Sequence, residues 1–560
     1  MVLYTTPYSG ACLHFLDGLS WSLVFPCYWL LDRLLASCVA TSLEKRQRSQ
    51  DPCSFLTLCV LVSAPLYLLL LLASLPFALL GFILWAPLQA VRQPYLYTYS
   101  RSVSKVKGRG VGEWRPQGRS FCFCSANVCL LPDSLARFNN LSDTHRRARE
   151  VGKRIRNGAS RPQIKIYIDS PTNTSIRYGA PGYGAPEPDP QGGESETGNH
   201  RPGDQAGGDT GSMTASRESL ARYHGGDGGV GISSNNTLSH VPRTSIFKRP
   251  GRKRRHGDET FDHEISAFFP ANLDFLALQE VFDHGSTTRL RHQLHRYFPY
   301  VLSDVGQYGW KSCCSSFKFL NSGLMLASRY PILDARFECY PNGRGEDALA
   351  AKGALFAKVH VGTSHQEQRV VGYITCTHLH AIEGDAAVRC EQLDLLLQWG
   401  AEFRQASSRQ PEGEKVFEDL VAFDVVLGDL NFDNCSSGTD DKLEQQHALF
   451  TQYKDPCRLG PGEDKPWALG NYTTTQLHND TMTLFFRVME NEEGRKEYLV
   501  FPPSKSQCPG SSQKGRKIPP EGQRTPHRLH PLHFVTQLAG LTDHLSVAMR
   551  LSVATGDDEP

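Results

Sequence analysis

Leu420 to Ser436 reads LVAFDVVLGDLNFDNCS. Its first half has the pattern of a buried strand: Val421, Ala422, Phe423, Val425, Val426 and Leu427 are apolar and mostly β-branched or aromatic. Gly428 ends the run, and Asp429, Asn431, Asp433 and Asn434 crowd in directly behind it. In α/β proteins the carboxyl ends of central strands carry ligand groups on rigid supports. A plain strand followed by an Asp/Asn-rich turn would read the same way. The rest of the chain has to decide between the two.

Further stretches repeat the pattern. LDFLALQEVF, LNSGLMLASRYPI, GALFAKVHV, VVGYITCTHLH and LTDHLSVAMRL read as core strands with polar groups at their ends, and AVRCEQLDLLLQWGAEF reads as a helix between two of them. FCFCSANVCLL is another strand, followed by a basic helix-like stretch ending near Asn157. Strands alternating with helices predict a layered α/β domain. The polar residues at the strand ends are Asn127, Glu280, His378, Asp429, Asn431, Asp543 and His544. Each alone is weak, since a lone strand-end His is usually satisfied locally. Together they are carboxylates, amides and imidazoles. Hard oxygen donors suit Mg2+ rather than Zn2+, and a nearby His takes a proton from water at neutral pH. Metal plus general base is the equipment for hydrolysing a phosphate ester.

The chain has 560 residues, more than one ordinary domain, and a net charge of only +2, without the positive field of a dedicated nucleic-acid binder. Its 16 cysteines form no zinc-ligand or secreted-disulfide pattern; Cys122 and Cys124 show strand alternation. Free thiols facing the cytosol are expected.

From Ser54 to Val91 no charged residue occurs, a run nearly twice the roughly 20 residues of one spanning helix. Pro65, Pro76 and Pro87 interrupt it, which predicts two short helices hinged near Pro76 that enter and leave on one side. Cys12 to Ala40 is apolar but holds Asp17, Asp32 and Arg33, and reads as a shorter re-entrant or interfacial element. Basic residues flank the long run on both sides, Lys45, Arg46 and Arg48 before it and Arg92, Arg101, Lys105, Lys107 and Arg109 after it. That places both termini and the Lys45–Arg48 loop on the cytosolic side. Cys53 and Cys59 at the border are candidates for S-palmitoylation, with Cys313 and Cys314 as further candidates.

The predicted layout is therefore 1–108 as membrane-associated hydrophobic hairpins, 109–170 as the first part of a catalytic domain and 259–553 as its main part. Residues 171–258, rich in Gly, Pro, Ser and Asp, read as a disordered linker, and 554–560 as an acidic tail. Asp347 and Lys352 sit together in EDALAAKGALF, either as an adjustable segment at the site mouth or as a surface acid and base at a strand start.

LQEVF, THLH, GDLNF and TDH occur in the order of the endonuclease/exonuclease/phosphatase superfamily, whose fold is a four-layered α/β sandwich. With the N-terminal hydrophobic segments, SANVCLLPDSLAR, RPQIKIYIDSPTNTS, FFPANLDFLALQEVFD and CYPNGRGEDALAAKGALF, the chain resembles the membrane-bound neutral sphingomyelinases over nearly its whole length. The resemblance implies Mg2+, with Mn2+ as a substitute, and Glu280 as principal ligand supported by Asn127. It implies that Asp429 orients the attacking water, Asn431 holds the scissile phosphate, and His378 stabilises charge on the phosphoryl group. His544 would be the general base, with Asp543 completing the metal-side network. The implied substrate is sphingomyelin, giving ceramide and phosphocholine. The implied setting is the cytosolic face of Golgi and plasma membranes, with acidic phospholipids such as phosphatidylserine as activators and no nucleic acid.

One departure stands out. The superfamily usually has an Arg-x-Asp-Tyr strand before the final Asp-His, whose Asp orients the catalytic His. Gly510 to Phe534 contains none and is rich in Pro and Arg, so a missing strand and a missing partner for His544 are expected. A catalytically impaired membrane scaffold of the same fold is the resulting alternative. Another phosphodiesterase or phosphatase of the superfamily is the second alternative, though no Cys-Asp-Arg signature of inositol-polyphosphate phosphatases occurs.

Overall fold

Strand-forming segments from Leu96 to Val553 build two sheets packed face to face. The computed structural model describes residues 3–50, 55–101, 111, 114, 119–161, 263–306, 308–309, 317–364, 367–408, 418–434, 442–465, 527–529 and 532–553. The predicted linker at 171–258, the acidic tail, Cys53, Cys313, Cys314 and the side chain of Cys59 lie outside them. In chain order the strands are β1 (Leu96–Tyr99), β2 (Arg119–Asn127), β3 (His263–Ser266), β4 (Phe275–Gln279), β5 (Tyr300–Ser303), β6 (Met325–Ser328), β7 (Ile332–Cys339) and β8 (Gly353–Thr363). They continue as β9 (Arg369–His378), β10 (Leu420–Asp429), β11 (Arg458–Gly460), β12 (Glu463–Asp464), β13 (His527–Leu529), β14 (Leu532–Val535) and β15 (Ser546–Val553).

One sheet runs β1-β5-β6-β4-β2-β15-β14-β3, with β13 also on β15, and the other runs β10-β9-β8-β7. Alternation along each strand sorts side chains into layers. Phe121, Phe123 and Phe275 of the first sheet meet Leu355, Ile374, Phe423 and Val425 of the second between the sheets. Cys122, Cys124 and Ala126 point the other way, under Val151 and Ile155 of one helix (Thr144–Ala159) and Leu290 and Leu294 of another (His284–Leu294). Phe356 and Tyr373 face Leu393, Leu396 and Phe403 of a third helix (Ala386–Ser408). Helix, sheet, sheet, helix is the four-layered sandwich that the strand pattern and the resemblance predict.

Phe423 is the hub between the sheets, its ring centroid 5.0 Å from those of Phe121 and Phe123 and 5.6 Å from that of Phe275. Its register partner on β9 is Gly372. A Cβ there would lie 2.2 Å from the Phe423 ring, so this position admits only glycine without moving the ring.

The N-terminal region departs from expectation. Phe55–Leu88 is one continuous helix running through Pro65 and Pro76, not two hinged at Pro76. In apolar surroundings the backbone group freed by a proline finds no better partner outside the helix, so the helix continues. Cys12–Ala40 is longer than expected, the 28-residue helix α1 (Ala11–Cys38), and the Lys45–Arg48 loop is a helix, α2 (Ser42–Gln50), bent 55° from α1 as in a broken span or a re-entrant element. We label the long helix α3. α1 and α3 form an antiparallel hairpin through Trp21–Trp85 and Trp29–Tyr67 contacts, with Gly81 of α3 against the Ser20 carbonyl. The charges that made α1 look interfacial are spent on docking. Asp17 accepts the Tyr8 hydroxyl at 2.8 Å, Asp32 accepts the Ser134 N–H at 2.8 Å, and Arg33 lies 3.0 Å from Asp133. The outer face, including Phe15, Leu61, Val62, Leu69 and Phe77, is exposed. Among the described residues Val60–Val91 is the stretch long and apolar enough to cross a membrane.

The expectation that the Pro- and Arg-rich segment forms no strand is corrected at its end, although neither strand there carries an Arg-x-Asp-Tyr sequence. β14 starts in that segment, parallel to β3 and antiparallel to β15, and β13 pairs with the far end of β15. Leu532 and Phe534 bury on one side of β14, which a four-residue run achieves despite its flanks.

Replacing Gly372 with Ala should destabilise the protein by ~1–3 kcal/mol, the usual cost of overpacking a closed core. Urea unfolding checks this. Unchanged stability would mean that the Phe423 ring yields freely and does not fix β10.

Candidate active site

Two parallel strand pairs deliver the polar groups. β2 and β4 run parallel with Asn127 opposite Gln279, so Glu280 emerges beside Asn127. β9 and β10 run parallel with His378 opposite Asp429. These carboxyl ends meet across the two sheets. The Asn127 amide Nδ2 donates to Glu280 Oε1 at 2.7 Å and to Asp429 Oδ2 at 2.9 Å. Its Oδ1 accepts the Cys129 N–H at 3.1 Å, which fixes the amide's orientation. Glu280 itself adopts a left-handed backbone (φ 59°), as does Asn431 (φ 53°). For a residue with a Cβ this costs about 1–2 kcal/mol, and such strain clusters at functional sites.

The carboxyl-terminal turn closes the site. Thr542 Oγ1 donates to the Asn127 carbonyl at 2.8 Å. His544 Nδ1 lies 2.9 Å from Asp543 Oδ1, and its Nε2 lies 3.5 Å from Asp429 Oδ2. Asp543 Oδ2 also accepts Asn139 Nδ2 at 2.7 Å. The expectation that His544 lacks a partner is therefore corrected. The neighbouring carboxylate, read from the resemblance as metal-side, is instead the acid at the ring Nδ1.

His378 is buried, with Nε2 4.0 Å from Glu280 Oε1 and Nδ1 without a hydrogen-bond partner among the described residues. Asn431 donates from its backbone N–H to Asp429 Oδ1 at 3.1 Å and from Nδ2 to the Leu379 carbonyl at 2.9 Å. The same carbonyl accepts Lys352 Nζ at 3.0 Å, and Lys352 also pairs with Asp347 at 2.9 Å. Asp347 and Lys352 are thus joined to the site through Leu379 and are not a loose surface pair. The seven strand-end residues converge.

Three contributors gave little sequence signal. Asn139 stands far along the chain from Asp543 in a short 3-10 turn. His380, fully buried, sits with Nδ1 3.2 Å from Asp347 and Nε2 2.8 Å from Asp385. The Thr542 hydroxyl was visible only as part of Thr-Asp-His.

The charges are unequal. Burial raises the Glu280 carboxyl, the Asn127 N–H lowers it less, and the nearby Asp543 raises it further. Burial would also raise Asp429, but the imidazoles of His378 and His544 and the Asn127 N–H outweigh it and hold the carboxyl below its ordinary value. Burial, then the Lys352 ammonium, drives His378 far below the imidazole range. Burial opposes charge on His544 too, yet the Asp543 hydrogen bond and the charges of Asp543, Asp429 and Glu280 raise it to about 9.

Among the described residues no cluster of three or more His, Cys, Asp and Glu side chains is closed tightly enough to cage a metal ion. The donor chemistry still fits a hard cation. Mg2+ is usually held by one or two carboxylates, with water and substrate phosphate completing its shell. Glu280 and Asp429 supply those carboxylates, and the raised Glu280 is a buried acid short of positive charge.

Comparison with known proteins agrees with this geometry. Residues 12–91 match the profile described as the neutral sphingomyelinase N-terminal transmembrane region, and residues 246–544 match the endonuclease/exonuclease/phosphatase family. Sphingomyelin phosphodiesterase 3 of Mus musculus is 49% identical over 661 aligned positions, covering 100% of both chains. The Homo sapiens protein of that name is 48% identical with the same coverage. Sphingomyelin phosphodiesterase 5 of Danio rerio is 40% identical over 580 positions, again covering 100% of both.

His544 has a folded pKa above its unfolded value, so its contribution to stability is complete below about 6.5 and is lost as pH rises through about 9. The side chain is 43% exposed, and solvent screens part of the effect. In metal-free protein, unfolding stability should fall across that window, and Asp543→Asn should flatten the fall and bring the His544 titration back toward the ordinary imidazole range. Titration followed by NMR checks this. An unmoved His544 pKa in the variant would mean that Asp543 is not its partner.

Proposed function

This chain belongs to the neutral sphingomyelinase family, and we propose that it is a Mg2+-dependent sphingomyelin phosphodiesterase that releases ceramide and phosphocholine. The observation that carries the reading is the Asn127 amide shared by Glu280 and Asp429 at the ends of two facing sheets, with His544 held by Asp543 beside them. Acid groups, a cation cradle and a positioned base are what a phosphodiester needs.

Glu280, with Asp429 beside it, would hold the cation, Mg2+ or in its place Mn2+. When bound, the cation supplies charge neutralisation to the phosphate. Asp543 keeps the His544 ring oriented, so that Nε2 faces Asp429 and can take the proton of the attacking water. In the cation-free site His544 is held protonated at neutral pH. Neutralising Glu280 and Asp429 removes two of the three carboxylate charges responsible, and the base form becomes available nearer neutrality. His378, neutral and buried with Nδ1 unpartnered among the described residues, has a nitrogen to offer the phosphoryl oxygens. Asn431 would reach the scissile phosphate by leaving the Leu379 carbonyl, which it shares with Lys352. Asp347 and Lys352 are accordingly the regulatory pair of this reading. The His544–Asp543 contact favours an active enzyme over a scaffold.

The chain is membrane-associated through its N-terminal helices. We assign it to the cytosolic face of Golgi and plasma membranes, with acylation at Cys53, Cys59, Cys313 and Cys314. Lys45 and Arg46 lie exposed on α2, which supports activation by acidic phospholipids such as phosphatidylserine.

Glu280→Gln should abolish phosphocholine release from sphingomyelin vesicles while leaving expression and membrane binding nearly unchanged, because a neutral amide is a poor ligand for a hard cation. Full activity of this variant at limiting Mg2+ would remove Glu280 from the cation site.

A further inference from the structure

The seam between α1 and the catalytic domain holds a cavity of about 250 Å3, and none of the strand-end catalytic residues lines it. The size suits a headgroup fragment rather than a drug-sized ligand. Four aromatic rings of α1, Trp21, Phe25, Tyr28 and Trp29, form one side. Three carboxylates, Asp32, Asp133 and Asp283, also line it, together with Arg33 and His145. Each already serves a structural N–H: Asp32 that of Ser134 (2.8 Å), Asp133 that of Thr144 (2.8 Å) and Asp283 that of Ser286 (2.7 Å). Asp133 also pairs with Arg33, and Asp283 with His145. Arg33 in turn lies over the Trp29 ring. Much of the hydrogen-bonding capacity is therefore spent, while Asp32 has no ion-pair partner among the described residues and Trp21, Phe25 and Tyr28 line the cavity without a cation over them there. A cation without N–H groups, a quaternary ammonium, is the ligand that such a lining satisfies.

The rim adds the other half. Arg289 and His284 are exposed, and the one described hydrogen bond of the Arg289 side chain goes to the Gly285 carbonyl at 3.0 Å. A phosphate there would receive the remaining guanidinium N–H groups. We propose that this cavity binds a phosphocholine group, with trimethylammonium among the α1 rings and phosphate at Arg289. The site is separate from the catalytic centre. Phe282 lines it and packs against Gly323, which also touches the Glu280 backbone, so its wall is the back of the Glu280 turn. The proposal rests on the phosphodiesterase reading for its choice of headgroup alone.

The test uses the full chain carrying Glu280→Gln, to stop turnover, in maltoside micelles. The indole N–H resonances of Trp21 and Trp29, assigned with Trp→Phe variants, are the probes. Free phosphocholine should shift both saturably, and phosphoethanolamine should do so far more weakly. Phe25→Leu keeps apolar volume without a π face, and Asp32→Asn keeps an acceptor for Ser134 without charge. Each should weaken binding about tenfold with the thermal melt unchanged. In a second arm the protein is placed in phosphatidylcholine or phosphatidylglycerol nanodiscs. The same shifts in phosphatidylcholine identify a lipid headgroup as the occupant, and shifts with free phosphocholine alone identify the soluble group. Resonances that stay still in both arms, or shifts equal in the two variants and the parent, overturn the proposal. Sphingomyelin hydrolysis by the unsubstituted chain, measured in parallel, separates this outcome from failure of the phosphodiesterase reading.

Discussion

One side-chain amide joins the two halves of the catalytic domain where the chemistry sits. Asn127, at the end of β2, gives its two N–H bonds to Glu280 on its own sheet and to Asp429 on the facing sheet. Few side chains can do this. An Asp would add a third carboxylate charge, and a Ser offers a single donor. The amide cannot turn, because its oxygen is held by the Cys129 N–H and the carbonyl of the same residue is held by Thr542. Two largely enclosed acids that would repel each other are thereby held together, as the proposed cation site requires.

Everything else in the site follows from two registers. The parallel pairing of β2 with β4 sets Glu280 beside Asn127, and that of β9 with β10 sets Asp429 beside His378. Phe423, seated on Gly372, locks the second pair onto the first sheet through an aromatic cluster. The left-handed Glu280 then turns its carboxylate inward, with the glycine at position 323 packed against its backbone. Slippage of either pair by one residue would reverse every side chain and empty the site.

Legibility in the sequence follows the same physics. Residues at the ends of strongly apolar strands, such as Asp429 after VAFDVVLG and Glu280 after LDFLALQ, announce themselves, because a strand buried on both faces leaves no other reason for polarity there. The sandwich was readable for the same cause. β14 was not, since its four residues sit in a segment whose Pro and Arg content dominates any local reading, and pairing on both edges overrides propensity. The Asp543 partnership was hidden because adjacent residues rarely face one another, and only the tight turn after Thr542 brings the two side chains together. Asn139 and His380 act through contacts made by folding, with no local pattern. The continuity of α3 through three prolines likewise depends on its apolar composition and on α1.

The N-terminal helices are docked on the domain through Asp32 and Arg33 of α1 and Glu44 of α2, while the outer face of the α1–α3 hairpin stays apolar. The central claim is that acids from both sheets serve a single cation. Mn2+ binding to the full chain, followed by EPR in the parent, Glu280→Gln and Asp429→Asn, addresses it directly. One tight site lost in both variants is the predicted result. Full Mn2+ affinity retained by either variant would contradict a cation shared across the sheets.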